Sequence, residues 1–205
     1  MEKKKTKKDL SFYMGNVSII FVTLMVSFFP LYVSDRYYYI RHDKLYAFYV
    51  LASLLLIFMG SVILTHYNKR DKENKIENKK NKFSFTDYGM IGFLISAIIS
   101  TLVSDYKFDS LTGALGRNNG LILIFAYFVV YFIISRTYRE NKVVPIVMAV
   151  VSSFVAFIGI LQQFYWDPLN LYNGMSSSQY TKFISTIGNR NIFSAYLTHT
   201  IVDRK

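Results

Sequence analysis

Cysteine is absent from the 205 residues, which excludes a disulfide scaffold and any Cys/His metal cluster. Proline occurs three times, and the 13 acidic residues are outnumbered by 24 Lys and Arg, leaving a formal net charge of +11. No Walker loop, HExxH pair or GxSxG nucleophile elbow is present. What is abundant is apolar: 52% of the residues, with 18 Phe and 17 Tyr. These residues are gathered into blocks, with the charge lying between the blocks, so neither a soluble amphipathic globule nor a disordered basic tail fits.

The stretches Leu10 to Ser34, Leu45 to Asn68, Tyr88 to Ser104, Asn118 to Ser135 and Val143 to Trp166 contain no Asp, Glu, Lys or Arg. A helix rising about 1.5 Å per residue needs roughly 20 residues to cross about 30 Å of hydrocarbon, and each stretch is of that order. The expected fold is all-α: a polytopic membrane protein with five transmembrane helices plus an incomplete sixth. The sixth segment, Asn191 to Val202, spans about 18 Å as a helix, too short to cross, and reads as an element cut short. The expected organisation is a basic cytoplasmic N-terminus over 1–9, spans one and two over 10–67, a charged cytoplasmic loop over 68–82 and spans three to six over 83–205.

The start MEKKKTKKDL resembles the charged head of a secretory signal, but the apolar stretch behind it exceeds a signal's core and no small-residue cleavage site follows, so a retained helix is expected. Basic residues in short loops resist translocation. With the N-terminus cytoplasmic, fifteen Lys and Arg fall on the inner side and seven on the outer. Tyr37, Tyr38 and Tyr39 after the first span, and Tyr165 and Trp166 closing the fifth, then stand at the outer headgroup level that such rings prefer.

Thr86 or Asp87 is placed to cap the third span. Ser96, Ser100 and Ser104 on that span, and Ala149, Ser152, Ala156 and Gly159 on the fifth, read as small-residue packing seams. Pro30 should kink or end the first span, whereas Pro145 falls in a first turn that tolerates it. Gln162 and Gln163 are placed to bond a neighbouring helix or to line a pocket. The loop NKRDKENKIENKKNK reads as a solvated face touching anionic lipid rather than a nucleic-acid site.

Two turns carry the chemistry. DSLTGALGRNNGL enters the fourth span, and QYTKFISTIGNRNIFSAYL enters the sixth segment. Each sets an Arg, Arg117 or Arg190, among Gly and Asn directly ahead of a helix. Glycine allows close backbone approach, asparagine supplies amide hydrogen bonds, helix N-termini expose N–H donors, and guanidinium binds phosphate oxygens in pairs. The expected ligand contacts are Arg117, Asn118, Asn189 and Arg190. An ordinary turn with a snorkelling Arg satisfies the same residues. His42 and His66 read as surface and interfacial residues, and His199 as a polar residue in the short segment or a proton-transfer group.

TGALGRNNGLILIFAYFVVYFIISR, a fifth span ending LQQFYW, and STIGNRNIFSAYL together resemble the front half of the bacterial O-antigen ligase and O-antigen polymerase family. That family's Gly-Arg-x-x-Gly-Leu loop corresponds to Gly116, Arg117, Gly120 and Leu121. Its Thr-x-Gly-Asn-Pro-Asn stretch corresponds to Thr186, Gly188, Asn189 and Asn191, with Arg190 in place of the proline. The resemblance covers roughly residues 84–202. It implies a multi-pass glycosyltransferase of the bacterial plasma membrane that moves a glycan from undecaprenyl diphosphate to lipid A core, a polysaccharide or a protein, without cofactor or metal. It also implies further helices and an outer loop bearing the essential Arg and His residues, so the chain is expected to be inactive alone. The competing expectation is a small non-enzymatic membrane protein: a transporter piece, a subunit or an anchor. Spans one to three and four to six show no repeat of the kind transporters carry.

Overall fold

The structure is a computed structural model that describes residues 10–70, 83–114, 118–180 and 182–202, the backbone alone at 67–70, 199, 201 and 202. Helices α1 (Leu10–Leu31), α2 (Ile40–Arg70), α3 (Phe85–Val103), α4 (Lys107–Thr112), α5 (Leu121–Thr137), α6 (Val143–Gln163) and α7 (Arg190–Val202) follow one another, with a 3-10 turn at Ser177–Gln179 and no strand among the described residues. By length and composition, α1, α2 from Ile40 to His66, α3 and α6 can each cross a membrane. The α5 helix is apolar but has 17 residues, and α7 has 13, so these reach about 25 Å and 20 Å. The helices turn large apolar side chains outward, as Ile57 (64% exposed), Leu102 (68%) and Val150 (65%) show. Water would penalise such surface and lipid does not. The chain is an all-helical, multi-pass membrane protein in contact with lipid.

Two compact units make up the chain: residues 1–20 with 52–139, and residues 21–51 with 140–205.

In the first unit α3 packs on α5, and α4 packs on both. The start of α3 is closed by a capping box. Ser84 Oγ accepts the Asp87 N–H at 3.3 Å, and the Asp87 carboxylate accepts the Ser84 N–H at 2.8 Å. Ser84 is therefore the cap, with Asp87 reciprocating, and Thr86 lies inside the helix. Asp87 is buried, pairs with Arg136 at 3.3 Å and accepts the Tyr131 hydroxyl at 3.0 Å. The Arg136 guanidinium lies over the Phe132 and Phe83 rings, 4.3 and 5.4 Å from their centres. At the same end, Ser18 Oγ and Thr137 Oγ1 are 2.5 Å apart, Arg139 donates to Ser11 at 2.9 Å, and the Tyr13 and His66 rings meet at 5.3 Å. The starts of α1 and α3 thus adjoin the ends of α2 and α5, which are the points where the sequence passes to its basic stretches.

The Asp87 anchor fixes the rotation of α3. Ser96, nine residues on, lies about 180° around the helix from Asp87, and both Ser96 and Ser100 are exposed. The expected seam on α3 therefore faces away from α5. Ser104 alone finds a partner of that kind, Ser110 Oγ at 2.7 Å.

In the second unit the seam on α6 is realised. Ser152 and Gly159 are buried, Ala149 and Ala156 are half-buried, and Val155 and Ile158 complete the inward face. That face packs on α7. A Cβ on Gly159 would lie 2.9 Å from the Phe193 ring, so glycine permits this approach. Tyr196 and Ser152 hydroxyls bond at 3.0 Å. Pro30 sits in the last turn of α1, which stops at Leu31, and Lys44 donates to the carbonyls of Phe29 and Pro30 at 2.5 and 2.9 Å. Pro145 lies in the first turn of α6. At the other end of α6, Trp166 N–H reaches Leu161 O at 3.1 Å and Tyr165 N–H reaches Gln162 O at 3.1 Å. That is a Schellman closure with Tyr165 (φ +62°) in the left-handed position glycine usually takes.

Candidate functional site

The turn ahead of α5 is built by close backbone approach. The α4 helix stops at Gly113 (φ +91°), and Asn118 (φ +52°) returns its N–H to Ala114 O at 3.1 Å. A Cβ on Gly120 would strike the Leu111 carbonyl oxygen and the Gly113 nitrogen, and one on Gly113 would strike the Asn118–Asn119 backbone. Both glycines are therefore required by backbone contacts that no side-chain rearrangement can relieve. Gly120 caps α5 with extended backbone, and no side chain caps the helix. Gly116 and Arg117 lie outside the described residues.

The turn ahead of α7 is built differently. Ile184 and Gly188 exchange hydrogen bonds at 3.2 and 3.0 Å, closing a loop through Ser185 (φ +51°) and Gly188 (φ +89°). A Cβ on Gly188 would lie 2.6 Å from Ile40 Cδ1. Asn189 Oδ1 accepts the Asn191 N–H at 2.8 Å and the Ile192 N–H at 3.3 Å, so this side chain caps α7. Its carboxamide oxygen is engaged there, and its amide nitrogen is the group able to donate to a ligand. Arg190, the first residue of α7, and Asn191 are exposed. Thr186 is 3% exposed, with no hydrogen-bond partner for Oγ1.

Sequence reasoning missed the residues that hold this second turn. Tyr37, expected at the headgroup level with Tyr38 and Tyr39, is 2% exposed, whereas the other two rings are exposed. Its hydroxyl donates to Ser185 O at 2.7 Å, and its ring packs on Phe183 and Tyr172, centre to centre 5.0 and 5.2 Å. Gln162 Oε1 accepts the Ser185 N–H at 2.6 Å, and Gln162 Nε2 donates to Tyr37 Oη at 3.2 Å and Asp167 Oδ1 at 3.1 Å. Ser185 Oγ donates to Val155 O at 2.6 Å. Asp167 Oδ2 accepts the Tyr172 N–H at 2.8 Å, and the Tyr172 hydroxyl donates to Phe183 O at 2.8 Å. Arg36 and Tyr38 bond the carbonyls of Asn173 and Gly174, tying the connection between α1 and α2 to the one between α6 and α7. The one sequence signal for this network was the pair of glutamines ending an apolar helix; Gln162 is buried in it and Gln163 is exposed.

Burial raises the Tyr37 phenol well above its ordinary value, with the charges of Tyr172 and Asp167 acting the same way against the lowering bond from Gln162. The Tyr172 phenol is raised by burial too, with Arg190 opposing. Both phenols therefore stay protonated at neutral pH and act as hydrogen-bond donors.

Among the described residues, no three His, Cys, Asp or Glu stand where they could share a metal ion. The structure brings Thr186, Gly188, Asn189, Arg190 and Asn191 into one turn of the second unit, while Asn118 and Gly120 belong to a turn of the first. Set against family models, curated proteins and solved structures, the chain matches none.

Proposed function

We propose that this chain is the donor-side portion of a ligase or polymerase in the manner of the O-antigen ligase family, taking a glycan from undecaprenyl diphosphate at the outer face of a bacterial plasma membrane. In this reading the N-terminus is cytoplasmic, five helices cross, and α7 belongs to an incomplete sixth crossing. The two Gly/Asn turns then open outward. Transfer of the sugar releases a polyprenyl diphosphate whose developing charge must be balanced, and positioned N–H groups with guanidinium supply that. Two separate sets of groups are assigned to anionic parts of the donor: Arg117 and Asn118 before α5, and Arg190 with the Asn189 amide at α7. The acceptor hydroxyl needs a base, and none is assigned within the chain.

The observation that carries the reading is the start of α5: a helix end without a side-chain cap, reached through a loop so tight that Gly120 lies against Leu111 and Gly113 backbone, with Arg117 four residues ahead in the sequence. Leu123 and Ile124 N–H close onto Gly120 O at 3.1 and 3.3 Å, which leaves the Leu121 and Ile122 amides as the donors that such an end offers an anion. The test is binding of undecaprenyl diphosphate by the full chain in nanodiscs. Arg117→Ala should weaken binding by about tenfold, the worth of one charge-assisted bond, and in intact cells a thiol reagent that cannot cross the membrane should label Asn118→Cys from outside. Equal binding by wild type and variant, or protection of position 118 from the external reagent, would sink this reading and favour a non-enzymatic membrane protein.

A further inference from the structure

We propose that Gln162 is the positioning residue for the Arg190 turn, acting through Ser185, and that Asp167 fixes which way the amide faces. The inference rests on the reading that Arg190 meets an anionic ligand, and goes beyond it by naming what aims the turn.

Ser185 is held at every polar atom. Its N–H goes to Gln162, its carbonyl to Tyr37 and its hydroxyl to Val155 O. Such over-determination is what a non-glycine residue in the left-handed region requires. From Ser185 the chain has four residues in which to reverse, cross the Ile184–Gly188 pair and begin α7 at Arg190. Where Ser185 sits therefore sets where α7 starts. Gln162 is 7% exposed, and only one amide orientation serves it. The Ser185 N–H can only donate and the Asp167 carboxylate only accepts, so the carbonyl faces Ser185 and the NH₂ faces Asp167. Leucine here would strand a buried N–H; glutamate would set two carboxylates about 3 Å apart, a spacing that keeps one shared proton on the pair to a pH above the ordinary carboxylate range.

That second property supplies the test. The groups facing position 162 are the Tyr37 and Tyr172 phenols, Asp167, and Arg190 through Tyr172. The phenols titrate above neutrality and the guanidinium stays charged, so in Gln162→Glu the carboxyl pair is what changes between about pH 5 and pH 8. The chain has no cysteine, so Ile192→Cys, on the exposed side of the first turn of α7, takes a single spin label without touching Arg190. In the full chain in nanodiscs the label should be immobile at all pH values when Gln162 is present. In Gln162→Glu it should be immobile near pH 5 and mobile near pH 8, where affinity for undecaprenyl diphosphate falls about tenfold. Adding Asp167→Asn, which accepts from Tyr172 and donates to Glu, should restore immobility and affinity at pH 8. Should Gln162→Glu fail to fold, Tyr37→Phe, which frees the Ser185 carbonyl and one amide hydrogen of Gln162 while leaving the Gln162 bonds to Ser185 and Asp167 in place, should mobilise the label at every pH. A label that stays immobile in Gln162→Glu throughout, or in Tyr37→Phe, overturns the positioning role. A label that responds while affinity stays constant overturns the assignment of Arg190 to the anion.

Discussion

The turn before α5 and the turn before α7 are written in nearly the same letters, Gly-Arg-Asn-Asn-Gly and Gly-Asn-Arg-Asn, and they close in opposite ways. The first is held by backbone against backbone, with its helix end uncapped by any side chain. The second is held by side chains, Asn189 on the helix and Gln162 and Tyr37 on Ser185, and its first-turn amides at Asn191 and Ile192 are taken. Position explains the difference. Asparagine two residues before the first helical amide to be satisfied becomes a cap; asparagine followed by glycine becomes part of the turn. Residue type alone therefore does not say which turn keeps donors available for a ligand.

Substitutions should separate the two designs. Gly120→Ala drives a methyl into fixed backbone and should destabilise the chain by about 3 kcal/mol, measured by thermal or denaturant unfolding in detergent. Gly188→Ala meets the movable tip of Ile40 in a left-handed conformation, and about 2 kcal/mol is expected; if the two glycine variants cost the same, the contrast between backbone-held and side-chain-held turns fails. Tyr37→Phe leaves a buried carbonyl and part of an amide unsatisfied and should cost about 1.5 kcal/mol. Because the folded Tyr37 phenol titrates above the unfolded one, its contribution is complete below about pH 10 and is lost as pH rises toward the folded value. The alkaline loss of stability should thus be shallower in Tyr37→Phe than in wild type. Asn189→Ala removes the α7 cap for about 1 kcal/mol. Asn118→Gly relieves a left-handed asparagine and should raise stability slightly, by about 0.5 kcal/mol, visible as a small upward shift in melting temperature.

The helices were legible because an uncharged block of membrane length has few other solutions, and block edges matched helix ends to within a few residues for α1, α3 and α6. The ends set by local chemistry were legible as well: Pro30 near the close of α1, Pro145 in the first turn of α6, an acidic residue at the start of α3. Tyr37 was not. Three consecutive tyrosines look alike in sequence, and only the partner loop, more than a hundred residues away, decides which ring is drawn inward and which two remain outside. The serines of α3 were misjudged for a related reason. Spacing shows that Ser96 and Ser100 share a face, but the rotation of that face is dictated by Asp87, whose partners Tyr131 and Arg136 come from another helix. Of the expected ligand contacts, the Asn189 side chain proved to be the cap of α7 because two free amides lie within its reach.

Tyr165 stands at the α6 terminus in a handedness that any side chain beyond glycine resists. The backbone that carries its ring and that of Trp166 is consequently fastened to the rod instead of swinging on a loose tether. A pair of amphipathic rings so fastened works as a depth gauge: if α6 slid along the bilayer normal, both would leave the level they favour. Where α6 crosses a bilayer, the connection that follows it therefore begins at the level those two rings favour.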